Sequence, residues 1–103
     1  MIDDLFQKVD LLLCPSMATV PVLLKDFSPQ GIIPRERVQT LLRLTAPFNL
    51  TGSPTISVPC GFSTQGLPLS LQLIGRHGEE STVMQAGYAY EQATEWHKQR
   101  PPV

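Results

Sequence analysis

The sequence has little net charge and no long apolar run. Eight Lys and Arg residues stand against nine Asp and Glu residues, so the formal net charge is -1 in 103 residues. A protein that binds nucleic acid or an anionic membrane needs clustered basic residues, so neither partner is predicted. No apolar stretch approaches the roughly 20 residues that span a bilayer, and the acidic Asp3-Asp4 start is unlike a signal peptide. These features predict a cytoplasmic protein.

Cysteine and histidine are also scarce, which argues against a metal site. Cys14 and Cys60 lie far apart and have none of the CxxC or HxxH spacings that bind zinc. Each adjoins an apolar run, so both are predicted to be small buried hydrophobic residues in a reducing compartment. His77 and His97 have no neighbouring partner for general-base chemistry, and we assign them to a loop and a helix end.

The surroundings that a serine nucleophile needs are missing as well. Gly52-Ser53-Pro54 suggests a tight turn that presents a hydroxyl, and Ser57 follows it closely. Neither Ser53 nor Ser57 lies in a GxSxG elbow or beside a His or Lys that could act as a base. We therefore assign these two serines to a turn and a strand.

What the sequence does contain is a series of short apolar segments separated by Pro and Gly. Residues 2–9 predict the last turns of a helix, and residues 11–14 predict a strand. Because this strand is apolar without alternation, it fits a parallel or mixed sheet covered on both faces better than a half-exposed antiparallel edge. Residues 15–33 contain several prolines and no sustained period, and they predict a long irregular connection.

Two helices are predicted farther along the chain. Pro34 suits the first turn of a short amphipathic helix, and Pro47 is expected to end it. Residues 79–97 carry an apolar stripe at helical spacing and predict a packed helix. Gly87 lowers the helix propensity of this segment, which indicates a close approach to another element.

A β-hairpin is predicted between these helices. Residues 55–58 and 69–74 are strand candidates, and residues 62–68 provide a turn that contains Gly66. Alternation in the second strand places Ser70 and Gln72 on one face, which should meet solvent or a polar site.

Two carboxamide side chains, Asn49 and Gln72, stand beside apolar neighbours. A buried amide without partners costs on the order of 1–3 kcal/mol, so each is predicted to organise a hydrogen-bond network. The network could pin the scaffold or support an active site. Structural turns are predicted at the prolines and glycines of this region: Pro47, Pro54, Pro59, Gly61, Gly66 and Gly75.

The run from Thr45 to Gly75, in which turn formers bracket two apolar segments, resembles the carboxy-terminal part of the amidase signature family. Residues 9–15 resemble the family's strand into a Pro-rich loop, and residues 86–91 with Trp96-His97 resemble its final helix. The resemblance implies an α/β fold that is the carboxy-terminal portion of the amidase signature fold. Strands of a mixed sheet would be flanked by helices, with the sheet incomplete. Residues 1–103 are thus expected to be one carboxy-terminal fragment of an amidase domain.

The resemblance also implies an activity whose catalytic residues this sequence lacks. Enzymes of the family convert a carboxamide to a carboxylate and ammonia with a Ser, cis-Ser, Lys triad, which lies in a Gly/Ser-rich segment upstream of the matching region. Nothing like that segment occurs here, and the resemblance implies no metal or organic cofactor. It places Asn49, Gly52 and Gln72 at the substrate rim, where they would support the catalytic loop.

Three functional interpretations follow. The chain could be an amidase fragment that is inactive alone, so that only the complete enzyme binds a small amide substrate. It could instead be a binding module that assembles with a separately encoded amino-terminal amidase half, or with itself, through apolar surface at residues 11–14. It could also be a truncated remnant. Simple amidases and the A subunit of the tRNA-dependent amidotransferase share the matching region, and the sequence does not separate them.

Overall fold

The computed structural model describes residues 2–28 and 31–103 and has helices on a small open sheet. The elements in chain order are α1 (Ile2–Phe6), β1 (Leu11–Pro15), α2 (Leu24–Phe27), α3 (Arg35–Leu42), α4 (Ala46–Thr51), β2 (Thr55–Phe62), β3 (Pro68–Gly75), α5 (Glu80–Ala93) and a 3-10 turn (Trp96–Lys98). This arrangement confirms the predicted α/β class with an incomplete sheet. Within the described ranges, no helix is long and apolar enough to cross a membrane.

The three strands form one antiparallel sheet in the order β1-β3-β2. β2 and β3 form the predicted hairpin, and Gly66 in its turn has a φ of 78° that favours glycine. Gln72 on the central strand lies opposite Cys14 of β1 and opposite Ser57 of β2. Because directly opposed residues share a face, these three side chains form a row across the sheet.

The surroundings of β1 differ from the prediction. β1 is a strand as expected, but it pairs antiparallel with β3 and forms an edge of the sheet in the described part of the chain. Leu13 is 65% exposed rather than covered. The reason is that α5 packs mainly over β2 and β3, so β1 lies beyond the part of the sheet that the helix covers most closely.

Pro47 does not end the preceding helix as predicted. α3 ends at Leu42, and Pro47 lies in the first turn of the separate helix α4. A proline is suited to that position because the first turn of a helix has no intrahelical partner for its N–H. The predicted irregular connection before α3 contains the short helix α2, while Pro29 lies outside the described residues.

β2 is four residues longer than predicted, so two residues assigned to turns lie inside it. Pro59 and Gly61 flank a shift in the register between β2 and β3. Such a β-bulge tolerates a proline without an N–H and a glycine at a φ of 132°. Pro54 immediately precedes β2, and Gly75 is the last residue of β3 rather than a turn residue.

The contact between α5 and the sheet requires two glycines. A Cβ atom on Gly87 would lie 2.9 Å from Cδ1 of Ile56, which confirms the predicted close approach. A Cβ atom on Gly75 would overlap a γ-methyl group of Val83. The buried apolar residues in the described part are Phe6, Val58, Ile74 and Val83.

Candidate substrate-rim site

Gln72 is the centre of the polar site. It is 2% exposed, on the central strand of the sheet. Its Nε2 donates to the carbonyl oxygen of Leu44 at 2.7 Å and lies 3.4 Å from that of Pro15. The same nitrogen lies 3.2 Å from Sγ of Cys14. The amide therefore ties β3 to the turn between α3 and α4 and to the end of β1, which confirms the predicted network at this residue.

Asn49, in contrast, is exposed on α4, so the predicted burial of its amide is wrong. Gly52 ends the same helix in the left-handed region, with a φ of 70°, and its N–H donates to the carbonyl of Phe48. A Cβ atom on Gly52 would lie 3.4 Å from the ring of His77. Of the three predicted rim residues, only Gln72 lies in the sheet, and it contacts the turn before α4 through the carbonyl of Leu44.

A pair of hydroxyls extends the polar row, and one member was missed by sequence reasoning. Oγ of Ser16 donates to Oγ of Ser57 at 3.2 Å, and Ser16 is buried. The only sequence signal for Ser16 is its position directly after an apolar strand, since its partner is 41 residues away. Ser57 lies in β2 as predicted.

Neither Ser53 nor Ser57 has a base as its hydrogen-bond partner in the described structure. Ser57 is paired with the hydroxyl of Ser16, and Oγ of Ser53 lies 2.9 Å from Oγ1 of Thr51. A neutral hydroxyl is too weak a base to activate a serine. These contacts can orient a bound group, and they do not supply a nucleophile.

A cavity of about 800 Å³ lies beside the hydroxyl pair. Its walls come from the connection after β1, residues 17–21, and from the facing parts of β2 and β3. Ser57 and Ser70 are among the few polar side chains on an otherwise apolar lining. A small organic group fits a space of this size and character.

The two histidines lie outside the cavity lining, whereas Cys14 contacts the Gln72 amide and Cys60 lines the cavity. His77 is exposed, and His97 lies in the 3-10 turn, where its Nδ1 is buried without a hydrogen-bond partner in the described structure. Cys14 and Cys60 are half-buried free thiols. Residues 2–28 and 31–103 contain no group of three or more His, Cys, Asp or Glu side chains that could hold a metal ion.

Tyr90 connects α5 to the bulged strand. Its hydroxyl donates to the carbonyl oxygen of Pro59 at 3.0 Å. Burial raises the pKa of the Tyr90 phenol, and the nearby Cys60 raises it further. The neutral phenol is therefore the form that the fold favours.

A protein-family model and curated relatives both match this chain. The family model described as Amidase matches residues 1–84. The A subunit of glutamyl-tRNA(Gln) amidotransferase from Rippkaea orientalis is 44% identical over 101 residues, which are 98% of this chain and 20% of that protein. Its counterpart from Oceanobacillus iheyensis is 66% identical over 58 residues, which are 56% of this chain and 12% of that protein.

A solved structure is also similar. The structure of 6-aminohexanoate cyclic dimer hydrolase complexed with substrate matches with a TM-score of 0.71 and 30% identity, over 90% of this chain and 21% of that one. The chain thus spans about a fifth of the length of the Rippkaea orientalis relative and of this hydrolase. Because the family model covers most of the chain and the fold agrees, this chain belongs to the Amidase family and forms the carboxy-terminal portion of its fold.

Proposed function

We propose that residues 1–103 act as one structural segment of a cytoplasmic carboxamide-hydrolysing unit and are inactive without the rest of that unit. The observation that carries this proposal is the absence of a Ser, cis-Ser, Lys triad from a sequence that matches about a fifth of its relatives' length. In the complete unit, a serine attacks the carboxamide and releases ammonia or an amine. Water then hydrolyses the acyl-enzyme, and backbone N–H groups stabilise the oxyanion.

The substrate of the complete unit is a small carboxamide. The names of the relatives support this class, because one belongs to an amidotransferase and the other hydrolyses a cyclic dimer of 6-aminohexanoate. The apolar cavity beside Ser57 is large enough for a small organic group.

Gln72 serves this unit as a positioning residue. Its Nε2 contacts the carbonyls of Leu44 and Pro15, so it fixes the turn between α3 and α4 and the end of β1 against the central strand. Asn49 and Gly52 complete the proposed rim from α4: the exposed amide of Asn49 is free of the sheet, and Gly52 supplies the left-handed end of the helix.

A second candidate function is that of a binding module for a separately encoded amino-terminal amidase half. This candidate is supported by the extended shape of the chain, whose Cα radius of gyration is 15.7 Å. A compact domain of 100 residues has a value of about 13 Å. Exposed apolar side chains such as Leu13 would be covered in the assembled unit.

Reconstitution tests both candidates. Ammonia release from small aliphatic amides would be measured for the chain alone, for the unmatched part of the Rippkaea orientalis relative alone, and for their mixture, with molecular mass followed by light scattering. We expect release in the mixture and none from the chain alone. Hydrolysis by the chain alone would disprove the proposed inactivity. If the mixture showed neither association nor activity, both candidates would fail and the chain would be interpreted as a truncated remnant.

A further inference from the structure

We propose that the free edge of β1 is the docking edge at which the amino-terminal portion of an amidase unit adds a strand to this sheet. The inference rests on the proposed function and specifies the surface through which the partner binds. It follows from the backbone groups of β1, from its side chains, and from the contrast with the opposite edge at β2.

The register shows which backbone groups of β1 are free to pair. The N–H of Ser16 donates to the carbonyl of Ser70 at 3.1 Å, so this pair belongs to the bonded set between β1 and β3. Bonded pairs alternate along an antiparallel ladder, which assigns Cys14 and Leu12 to the same set. The N–H and C=O groups of Leu11 and Leu13 therefore point away from β3, along the open edge.

The side chains of this edge are apolar. Residues 11–13 are all leucine, and Leu13 is 65% exposed. An exposed apolar edge strand is a template for pairing with another chain, and proteins usually protect such an edge with charge or proline. Proline first appears in β1 at its last residue, Pro15, whose carbonyl lies near the Gln72 amide. The unprotected part of β1 is therefore residues 11–14.

The opposite edge of the sheet is protected. The N–H of Gly75 donates to the carbonyl of Pro54 at 2.9 Å, so this pair belongs to the bonded set between β2 and β3. Because bonded pairs alternate, the backbone groups of Thr55, Ser57 and Pro59 point away from β3, toward the outer edge. Thr55 and Ser57 have exposed polar side chains, and Pro59 has no N–H. The carbonyl of Pro59 already accepts a hydrogen bond from Tyr90. The register shift after Pro59 also makes this edge irregular, which discourages strand addition.

The occupant of the β1 edge is the amino-terminal portion of the unit rather than a second copy. About four fifths of the length of the Rippkaea orientalis relative lies outside the match, so most of its fold has no counterpart in this chain. A continuous apolar run is typical of a strand inside a larger sheet, with cover on both faces.

Amide hydrogen exchange tests this directly on the unmodified chain. Exchange would be followed for the chain alone and after addition of the unmatched part of the Rippkaea orientalis relative. We expect exchange at Leu11 and Leu13 to slow by about tenfold or more on mixing, with a smaller change at Thr55 and Ser57. Protection at Thr55 and Ser57 instead would overturn the assignment. Protection at Leu11 and Leu13 in a dimer of the chain alone would identify a second copy as the occupant.

Matched substitutions separate this inference from the proposed function. Leu13→Lys adds charge to the β1 edge, and Thr55→Lys makes the same change on the exposed β2 edge. We expect Leu13→Lys to weaken association with the added portion by about tenfold and Thr55→Lys to change it by less than about twofold. If the mixture is active and Leu13→Lys binds normally, the edge assignment fails while the proposed function stands. If the unmodified chain neither binds nor restores activity, both fail.

Discussion

At the scale of single residues, two polar side chains join segments that are far apart in the sequence. Gln72 connects the central strand to carbonyls at residues 15 and 44, and Tyr90 connects α5 to Pro59. Each donates to a backbone carbonyl that the regular ladders do not satisfy. Removing either donor should therefore cost more than the loss of its packing surface alone.

Replacement of Gln72 by leucine is expected to destabilise the chain. Leucine keeps a similar volume but leaves the carbonyl of Leu44 without its partner, so we expect the free energy of unfolding to fall by about 1–3 kcal/mol. Chemical denaturation measures this change. Gln85→Leu, at an exposed position of α5, is the matched control and should be nearly neutral. A neutral Gln72→Leu would contradict a structural role for the amide.

The same substitution tests positioning in the reconstituted unit. If Gln72 positions the rim, Gln72→Leu should lower kcat in the mixture by about tenfold, at temperatures where the assembled protein stays folded. A variant that binds the added portion normally and keeps full kcat would limit Gln72 to a scaffold role.

Replacement of Tyr90 by phenylalanine is expected to cost about 1 kcal/mol of stability, because the Pro59 carbonyl loses its donor. The cost should depend on pH. Burial raises the pKa of the Tyr90 phenol above its ordinary value, so the protonated form stabilises the fold. That stabilisation is complete below a pH of about 10 and is lost as the pH rises through the raised pKa.

Denaturation of both proteins from about pH 8 to about pH 11 measures this effect. The difference between the unmodified chain and Tyr90→Phe should shrink at the alkaline end. Tyr88→Phe is the control on the same helix, because Tyr88 is 66% exposed. A difference that stays constant across the range would show that ionisation of Tyr90 is not linked to folding.

At the scale of elements, the position of α5 depends on how closely it can approach the hairpin. Gly87 faces Ile56 of β2, and Gly75 at the end of β3 faces Val83. These contacts leave no room for a side chain at Gly75. The helix and the hairpin are therefore packed as one layered unit, whereas β1 has no comparable cover.

Gly75→Ala tests this packing. The added methyl group overlaps a γ-methyl of Val83, whose branched side chain has little rotamer freedom, so we expect a loss of about 1–3 kcal/mol in the free energy of unfolding. Val83→Ala removes the obstructing methyl. The double variant should therefore be less destabilised than the sum of the two single variants. Additive losses would show that the two residues do not compete for the same space.

At the scale of the whole molecule, the chain is open rather than compact. Its principal extents are 45, 32 and 19 Å, and many large apolar side chains outside the core are exposed. In the part of the chain that the structure describes, the sheet ends at the apolar strand β1, which leaves surface for association. The reconstitution and exchange experiments measure a property of the whole molecule, because they show whether a larger sheet forms around the chain.

Local patterns in the sequence were sufficient to predict several elements. The apolar run of β1, the alternation and turn of the hairpin, and the stripe of α5 depend on periods and turn residues that act within a few positions. The resemblance of residues 45–75 identified the family, which the family match confirmed. The close approach at Gly87 also followed from the sequence, because glycine is unfavourable in a helix without a packing reason.

Only the tertiary structure decided which polar residues are buried. Asn49 and Gln72 have similar apolar neighbours in the sequence, yet the Gln72 amide lies against the turn at Leu44 and the end of β1, while Asn49 is exposed on α4. The pairing of Ser16 with Ser57 and the start of α4 at Pro47 likewise required the packed structure. Periodicity determines which face a side chain shares with its neighbours, and the order of strands and the packing of helices determine whether that face meets protein or solvent.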